Sequence, residues 1–129
     1  MRFAFALLLA TAAMLQPAVA GEMRELVWIG FQNSADVARV FVKTNEQVQY
    51  RVNDKAEGAL ILDLFDTRVQ SRNHKRPLDT SQFDSPVLRI AAEELEGAAR
   101  QVRIEIKLRN KVPYEVKQAG EVLSVDFKR

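Results

Sequence analysis

The chain has no cysteine, so no disulfide can staple it and no lipid can be attached through a cysteine at a processing site. It must be stable on core burial alone, which is feasible at this size. There is one histidine, His74; with no second His and no Cys, a histidine-cluster metal site cannot be built. The 5 glycines are scattered, which leaves no glycine-rich phosphate loop. Ser34, Ser71, Ser81, Ser85 and Ser124 have no nucleophile-elbow context. Carboxylates do cluster at Glu93, Glu94 and Glu96, but such a run is the mark of a solvated face. No catalytic, cofactor-binding or metal-ligating set is therefore expected, and the chain is read as a non-enzyme.

A strong charge of one sign is also lacking. Without Arg2, the 19 basic and 17 acidic side chains come down to a formal charge of about +1. Nucleic-acid binding would need a marked basic excess. Arg68, Arg72, His74, Lys75 and Arg76 do lie together. A solvated loop is the simple reading of them; contact with an anionic polymer or lipid head groups is the alternative.

Apolar runs of leader or membrane length are confined to the start. Arg2 is followed by an apolar stretch at residues 3–15 and by Ala18-Val19-Ala20, a cleavage pattern. The expectation is a signal peptide over residues 1–20, export, and one mature domain over 21–129. The stretch is too short to span a bilayer comfortably, and no second one follows, so no transmembrane segment is expected after cleavage.

What the chain does have is an internal repeat. Arg39-Val40-Phe41-Val42-Lys43 and Val48-Gln49-Tyr50-Arg51-Val52 recur at a constant offset as Arg103-Ile104-Glu105-Ile106-Lys107 and Val112-Pro113-Tyr114-Glu115-Val116. One residue out of step, Leu60-Ile61-Leu62-Asp63-Leu64 recurs as Leu123-Ser124-Val125-Asp126-Phe127. Two copies of a small β unit follow, each needing the other to bury its apolar face.

Period-two alternation and turn residues place strands at 24–31, 38–44, 48–52, 60–65, 86–92, 100–108, 112–117 and 121–128. Gly30 points to a bulge or a tight crossing in the first, and Pro113 to an edge position in the seventh. Residues 93–99 are read as a turn; a helix over 91–101 is the alternative. Residues 66–85 are a polar connection, ordered by docking of Leu78 and Phe83, with a short helical turn or edge strand near 67–70. Eight short strands imply an all-β fold, a small antiparallel β-sandwich of two similar halves.

Strand phase puts Arg103, Glu105, Lys107, Ser124 and Asp126 outward in the second half. In the first half the outward set is Arg39, Phe41, Lys43, Ile61 and Asp63, with Phe65 in the same phase. Three large apolar side chains facing away from the core need an explanation. Either the 66–85 connection roofs them with Leu78 or Phe83, or they form a ligand or partner face. Arg39 with Asp63, and Arg103 with Asp126, are expected as cross-strand ion pairs; an arginine able to grip a carboxylate two-pronged is the functional alternative.

With these residues in view, the chain resembles the AMIN domain, a localisation module of periplasmic cell-wall amidases and type IV pilus secretins. The likeness covers most of residues 25–128. It rests on the arginine-led strand at 39–42, Val48-x-Tyr50-x-Val52, Leu60-Ile61-Leu62-Asp63-Leu64, and the Val87-x-Arg89-Ile90 start of the second half. It implies a periplasmic binding module of the cell envelope that recognises peptidoglycan at a division or pilus site, or docks on an envelope protein complex such as a pilus secretin assembly. Arg39, Asp63, Arg89 and Arg103 stand at the family's recurrent polar positions. Together with Phe41, Ile61 and Phe65 they are the candidate ligand or partner face.

Overall fold

The computed structural model describes residues 23–97 and 100–129. The leader expected over residues 1–20 lies outside the described residues. Ten strands are present: β1 (Arg24–Asn33), β2 (Val37–Thr44), β3 (Tyr50–Asn53), β4 (Ala59–Phe65), β5 (Thr67–Val69), β6 (Leu78–Asp79), β7 (Val87–Leu95), β8 (Gln101–Leu108), β9 (Tyr114–Ala119) and β10 (Val122–Lys128). One 3-10 turn, Arg72–Lys75, is the single helical element among the described residues.

Alternation in the sequence becomes alternation in burial. Along β2, Ala38, Val40 and Val42 are fully buried while Arg39 and Phe41 are half-buried. β8 and β10 repeat this with Val102, Ile104 and Ile106, and with Leu123, Val125 and Phe127. These side chains join Leu26, Leu60, Leu62, Leu64 and Ile90 in one core between two sheets. Each large apolar side chain so enclosed stabilises the fold by about 1.5–3 kcal/mol.

Sheet A runs β5-β1-β2-β10-β9 and sheet B runs β3-β4-β8-β7-β6. All neighbours are antiparallel except β1 and β5. The two repeats are interlocked rather than side by side. The first gives β1 and β2 to sheet A and β3 and β4 to sheet B; the second gives β7 and β8 to sheet B and β9 and β10 to sheet A. At the centre of sheet A, β2 pairs with β10, Val40 opposite Val125. At the centre of sheet B, β8 pairs with β4, Ile104 opposite Leu62. The sandwich therefore has a pseudo-two-fold, and each sheet's inner face is built from both repeats.

Several expectations shift. The third strand begins at Tyr50, not Val48. Val48 is still buried, at 3% exposure, and its carbonyl accepts from Gln118 Nε2 at 2.7 Å. The fifth expected strand, now β7, continues through Leu95 into the expected turn because β8 lies alongside it to Gln101. That pairing also excludes the helical alternative.

The 66–85 connection is less irregular than its polar composition implies. β5 extends sheet A beyond β1, the 3-10 turn packs against β1 and β7, and β6 extends sheet B beyond β7. The segment therefore straps one side of the sandwich. Glu94 Oε2 accepts from the Val69 amide at 2.7 Å, and Thr80 Oγ1 donates to the Val87 carbonyl at 2.7 Å. Leu78 packs at the core margin, and Phe83 sits 5.7 Å from Phe31, ring centre to ring centre.

Candidate functional site

The interlock decides which outward residues meet. On the outer face of sheet A, Arg39 of β2 stands opposite Asp126 of β10. Arg39 Nε donates to Asp126 Oδ1 at 2.6 Å and Nη2 donates to Oδ2 at 2.9 Å. On the outer face of sheet B, Arg103 of β8 grips Asp63 of β4 in the same fork, at 2.8 and 3.1 Å. The expected pairs, Arg39 with Asp63 and Arg103 with Asp126, are thus exchanged, because β2 and β4 lie in different sheets. The hydrogen bonds from Arg39 hold the Asp126 carboxyl below the usual carboxylate range. Both arginines are pushed further up, chiefly by hydrogen bonding to their carboxylates.

Around this shared pair of forks the two faces differ. Beside the sheet A fork stands Phe41, whose ring centre is 5.8 Å from Arg39 Cζ, within cation–π range. Next along is Trp28 of β1, 6.1 Å from Phe41 and tilted by 32°. Trp28 is 50% exposed. Its indole lies across Gly30, where a Cβ would fall 2.5 Å from Cζ2 and 2.7 Å from Cζ3. Gly30 is needed here for close approach, not for its backbone freedom.

Trp28 is a candidate residue of this face that strand counting misses. By simple alternation it shares the phase of Leu26 and would point inward. A bulge between Leu26 and Trp28 inserts one residue against β2, so Leu26 faces Thr44 and Trp28 faces Lys43. The bulge re-aims the indole to the outer face. The irregularity expected at Gly30 is thus a few residues earlier, and Gly30 is the tight crossing. β7 carries the matching bulge between Val87 and Arg89, which places Arg89 on the outer face of sheet B where Trp28 stands on sheet A.

The sheet B face is the more charged. Asp63, 2% exposed, lies beneath Arg103 and within 3.5 Å of Arg51 Nη2. Arg51 in turn covers the Phe65 ring, with Cζ 5.4 Å from its centre. Ile61 stands opposite Glu105, and Arg89 lies between Asp79 and Lys107 in the register. The seven candidate residues therefore fall on two opposite faces: Arg39 and Phe41 on sheet A; Ile61, Asp63, Phe65, Arg89 and Arg103 on sheet B. Phe41, Ile61 and Phe65 do not form one patch. Neither is the Phe41 face roofed by the connection, which runs along the sheet edges.

The basic stretch is partly neutralised. Arg68 pairs with Glu25 at 2.6 Å and Lys75 with Glu94 at 3.6 Å. Glu94 is held below its usual range, mainly by the Val69 amide. Among the described residues no group of three or more His, Cys, Asp or Glu side chains could hold a metal ion, and no helix is long and apolar enough to cross a membrane. A cleft between residues 54–60 and 108–112, closed on one side by Tyr114, has about 110 Å³. Small-molecule sites run to about 300–1,000 Å³.

A family model described as the AMIN domain matches residues 29–127. No curated protein and no solved structure shows a significant match.

Proposed function

The chain belongs to the AMIN domain family, a family of non-catalytic periplasmic localisation modules that bind peptidoglycan, and on that premise we propose that it is itself a periplasmic, non-catalytic module that grips peptidoglycan with the outer face of sheet A. The observation that carries this reading is the half-exposed Trp28 indole laid across Gly30, continued by Phe41 and the Arg39–Asp126 fork. An exposed aromatic surface on a flat sheet suits the apolar C–H face of a sugar ring. Arg39, fixed in orientation by Asp126 yet 39% exposed, suits the carboxylates and amides of the stem peptide. A leader over residues 1–20 followed by one mature domain over 21–129, as expected from the sequence, would fit export to that compartment.

The charged outer face of sheet B favours a second reading beside it, in which Arg89, Arg103 and Arg51 meet an acidic surface of an envelope protein complex, a pilus secretin assembly being one such. Charge complementarity would then set the partner.

Co-sedimentation with purified sacculi tests the first reading. The wild type is expected in the pellet, and Trp28→Ala is expected to weaken binding by about thirtyfold, as for an aromatic hot spot. Arg89→Ala is expected to bind as the wild type does. Equal pelleting of the wild type and Trp28→Ala would overturn the assignment of the face. Co-purification of an envelope complex, abolished by Arg89→Glu, would favour the second reading.

A further inference from the structure

The sandwich ends in four edge strands, and they are not alike. β5 has three residues and β6 two, short enough to offer no template. β3 has four and β9 six. In β9 the unpaired backbone groups can be identified. The Lys128 amide donates to the Pro113 carbonyl, which makes that pair a hydrogen-bonded one. Alternation along the antiparallel ladder then turns Glu115, Lys117 and Ala119 toward β10. Tyr114, Val116 and Gln118 are left with their N–H and C=O groups directed at the open edge. Pro113 lacks an N–H only on the side of β10, so it does not interrupt that edge.

We propose that β9 pairs antiparallel with β9 of a second copy of this chain, about a two-fold axis at Val116. Val116 then exchanges both backbone hydrogen bonds with its own counterpart, and Tyr114 does so with Gln118 of the other copy. The intervening positions bring Glu115 opposite Lys117, twice. Charge argues for this occupant. Both side chains are exposed, and neither forms an ion pair within 4.0 Å among the described residues; Lys117 only adds to the field that lowers the Asp126 carboxyl. Within one copy Glu115 faces Asp126, another carboxylate, already held by Arg39. A lysine on an edge strand ordinarily discourages pairing; here a glutamate two residues away meets it across the axis. The pseudo-equivalent edge lacks this property. Self-pairing of β3 sets Arg51 against Arg51 or against Asn53.

The pairing joins two copies of sheet A into one continuous sheet of ten strands. An axis of this kind is perpendicular to the sheet at the join, so both Trp28 side chains lie on one face of the continuous sheet, about 35 Å apart along it at ~4.8 Å per strand and turned away from each other by the sheet's twist. If those faces grip the wall, as proposed above, the dimer is a two-footed anchor whose avidity exceeds that of either foot. The dimer itself is independent of that reading and is tested without any wall material.

The full chain is expressed, purified and examined by sedimentation velocity from about 5 μM to about 1 mM, since so small an interface gives a weak dimer. A reversible monomer–dimer equilibrium is expected. Lys117→Glu, which opposes like charges twice, is expected to weaken it by about tenfold or more. The double variant Glu115→Lys with Lys117→Glu is expected to restore it. Circular dichroism melting, unchanged across the three proteins, shows that the fold is intact. A wild type that remains monomeric over the whole range overturns the proposal, as does a dimer indifferent to Lys117→Glu. Pairing of β9 with a peptide of another protein, seen as protection of the Val116 amide only on adding that protein, also overturns it.

Discussion

Substituting Gly30 by alanine isolates the contact on which the sheet A face is built. The backbone at Gly30 does not lie in the left-handed region, so alanine fits the strand, but its Cβ would meet three carbons of the Trp28 ring inside 3.0 Å. The indole must retreat by roughly 1 Å or more to regain ordinary contact. Doing so forfeits the Trp28–Phe41 pair, worth about 0.5–1.5 kcal/mol. Replacing a strand glycine returns about 0.5–1 kcal/mol through the unfolded chain. The two terms offset, and net stability is expected to change by less than about 1 kcal/mol, a melting shift of no more than about 8 °C. The indole, however, changes place. Trp28 is the sole tryptophan, so fluorescence reads this position alone. Red-shifted emission and faster acrylamide quenching are expected, together with sacculus binding as weak as that of Trp28→Ala. An unaltered spectrum and quenching rate in a folded protein would refute the packing argument. A loss of several kcal/mol would show that the strand, not the ring, gives way.

A double-mutant cycle on the forks reads the interlock directly. Alanine pairs at Arg103/Asp63 are expected to show coupling of about 1–3 kcal/mol and at Arg39/Asp126 about 0.5–1.5 kcal/mol, while Arg39/Asp63 couples by less than about 0.5 kcal/mol; urea denaturation measures all three, and a large Arg39/Asp63 coupling would contradict the strand order. Acid sensitivity follows from Asp126 and Glu94, both held below the ordinary carboxylate range. Their contribution is full above the unfolded value of about 4 and is lost as pH falls through the lower folded value, so melting temperature is expected to be level from about pH 7 to 5 and to drop below about pH 4, less steeply in Asp126→Asn. Tyr114 runs the other way: burial, then its hydrogen bond to Asp54, raises its phenol. That contribution is full below about pH 10 and lost as pH rises through the folded value, an alkaline limb that Tyr114→Phe should remove.

Strand phase was legible in the sequence because it is local: Val40 and Val42 alternate with Arg39 and Phe41 whatever lies beside them. Pairing was not legible, and the repeat itself is the reason. Arg39 and Arg103 are the same residue, as are Asp63 and Asp126, so charge is satisfied equally by pairing within a repeat or between repeats. Backbone pairing between β2 and β10 settles it, and it joins residues far apart in the chain. Trp28 was hidden by a different cause. One inserted residue at the bulge reverses the phase that Leu26 sets, and nothing in the local pattern marks an insertion. A tryptophan two positions before a glycine on one strand was the available signal, since only glycine leaves room for a ring to cross the backbone. In the 66–85 segment β5 falls where a short helical turn or edge strand is expected near 67–70, whereas β6, at two residues, is too short to alternate and leaves no mark in the sequence.

The exchange of strands also sets an order of events if the chain becomes free to fold from its N-terminal side onward. β1 and β2 can form a hairpin early, but the middle of sheet A stays open until β10, the last strand of the sandwich in chain order, arrives. Sheet B closes sooner, once β8 reaches β4. For the interval between, Val40 and Val42 have no partner strand on one side, and a nascent chain in that state is prone to wrong association. A truncation just before Val122 would leave β2 and β9 without the strand that joins them, and would be expected to yield aggregates rather than a smaller domain.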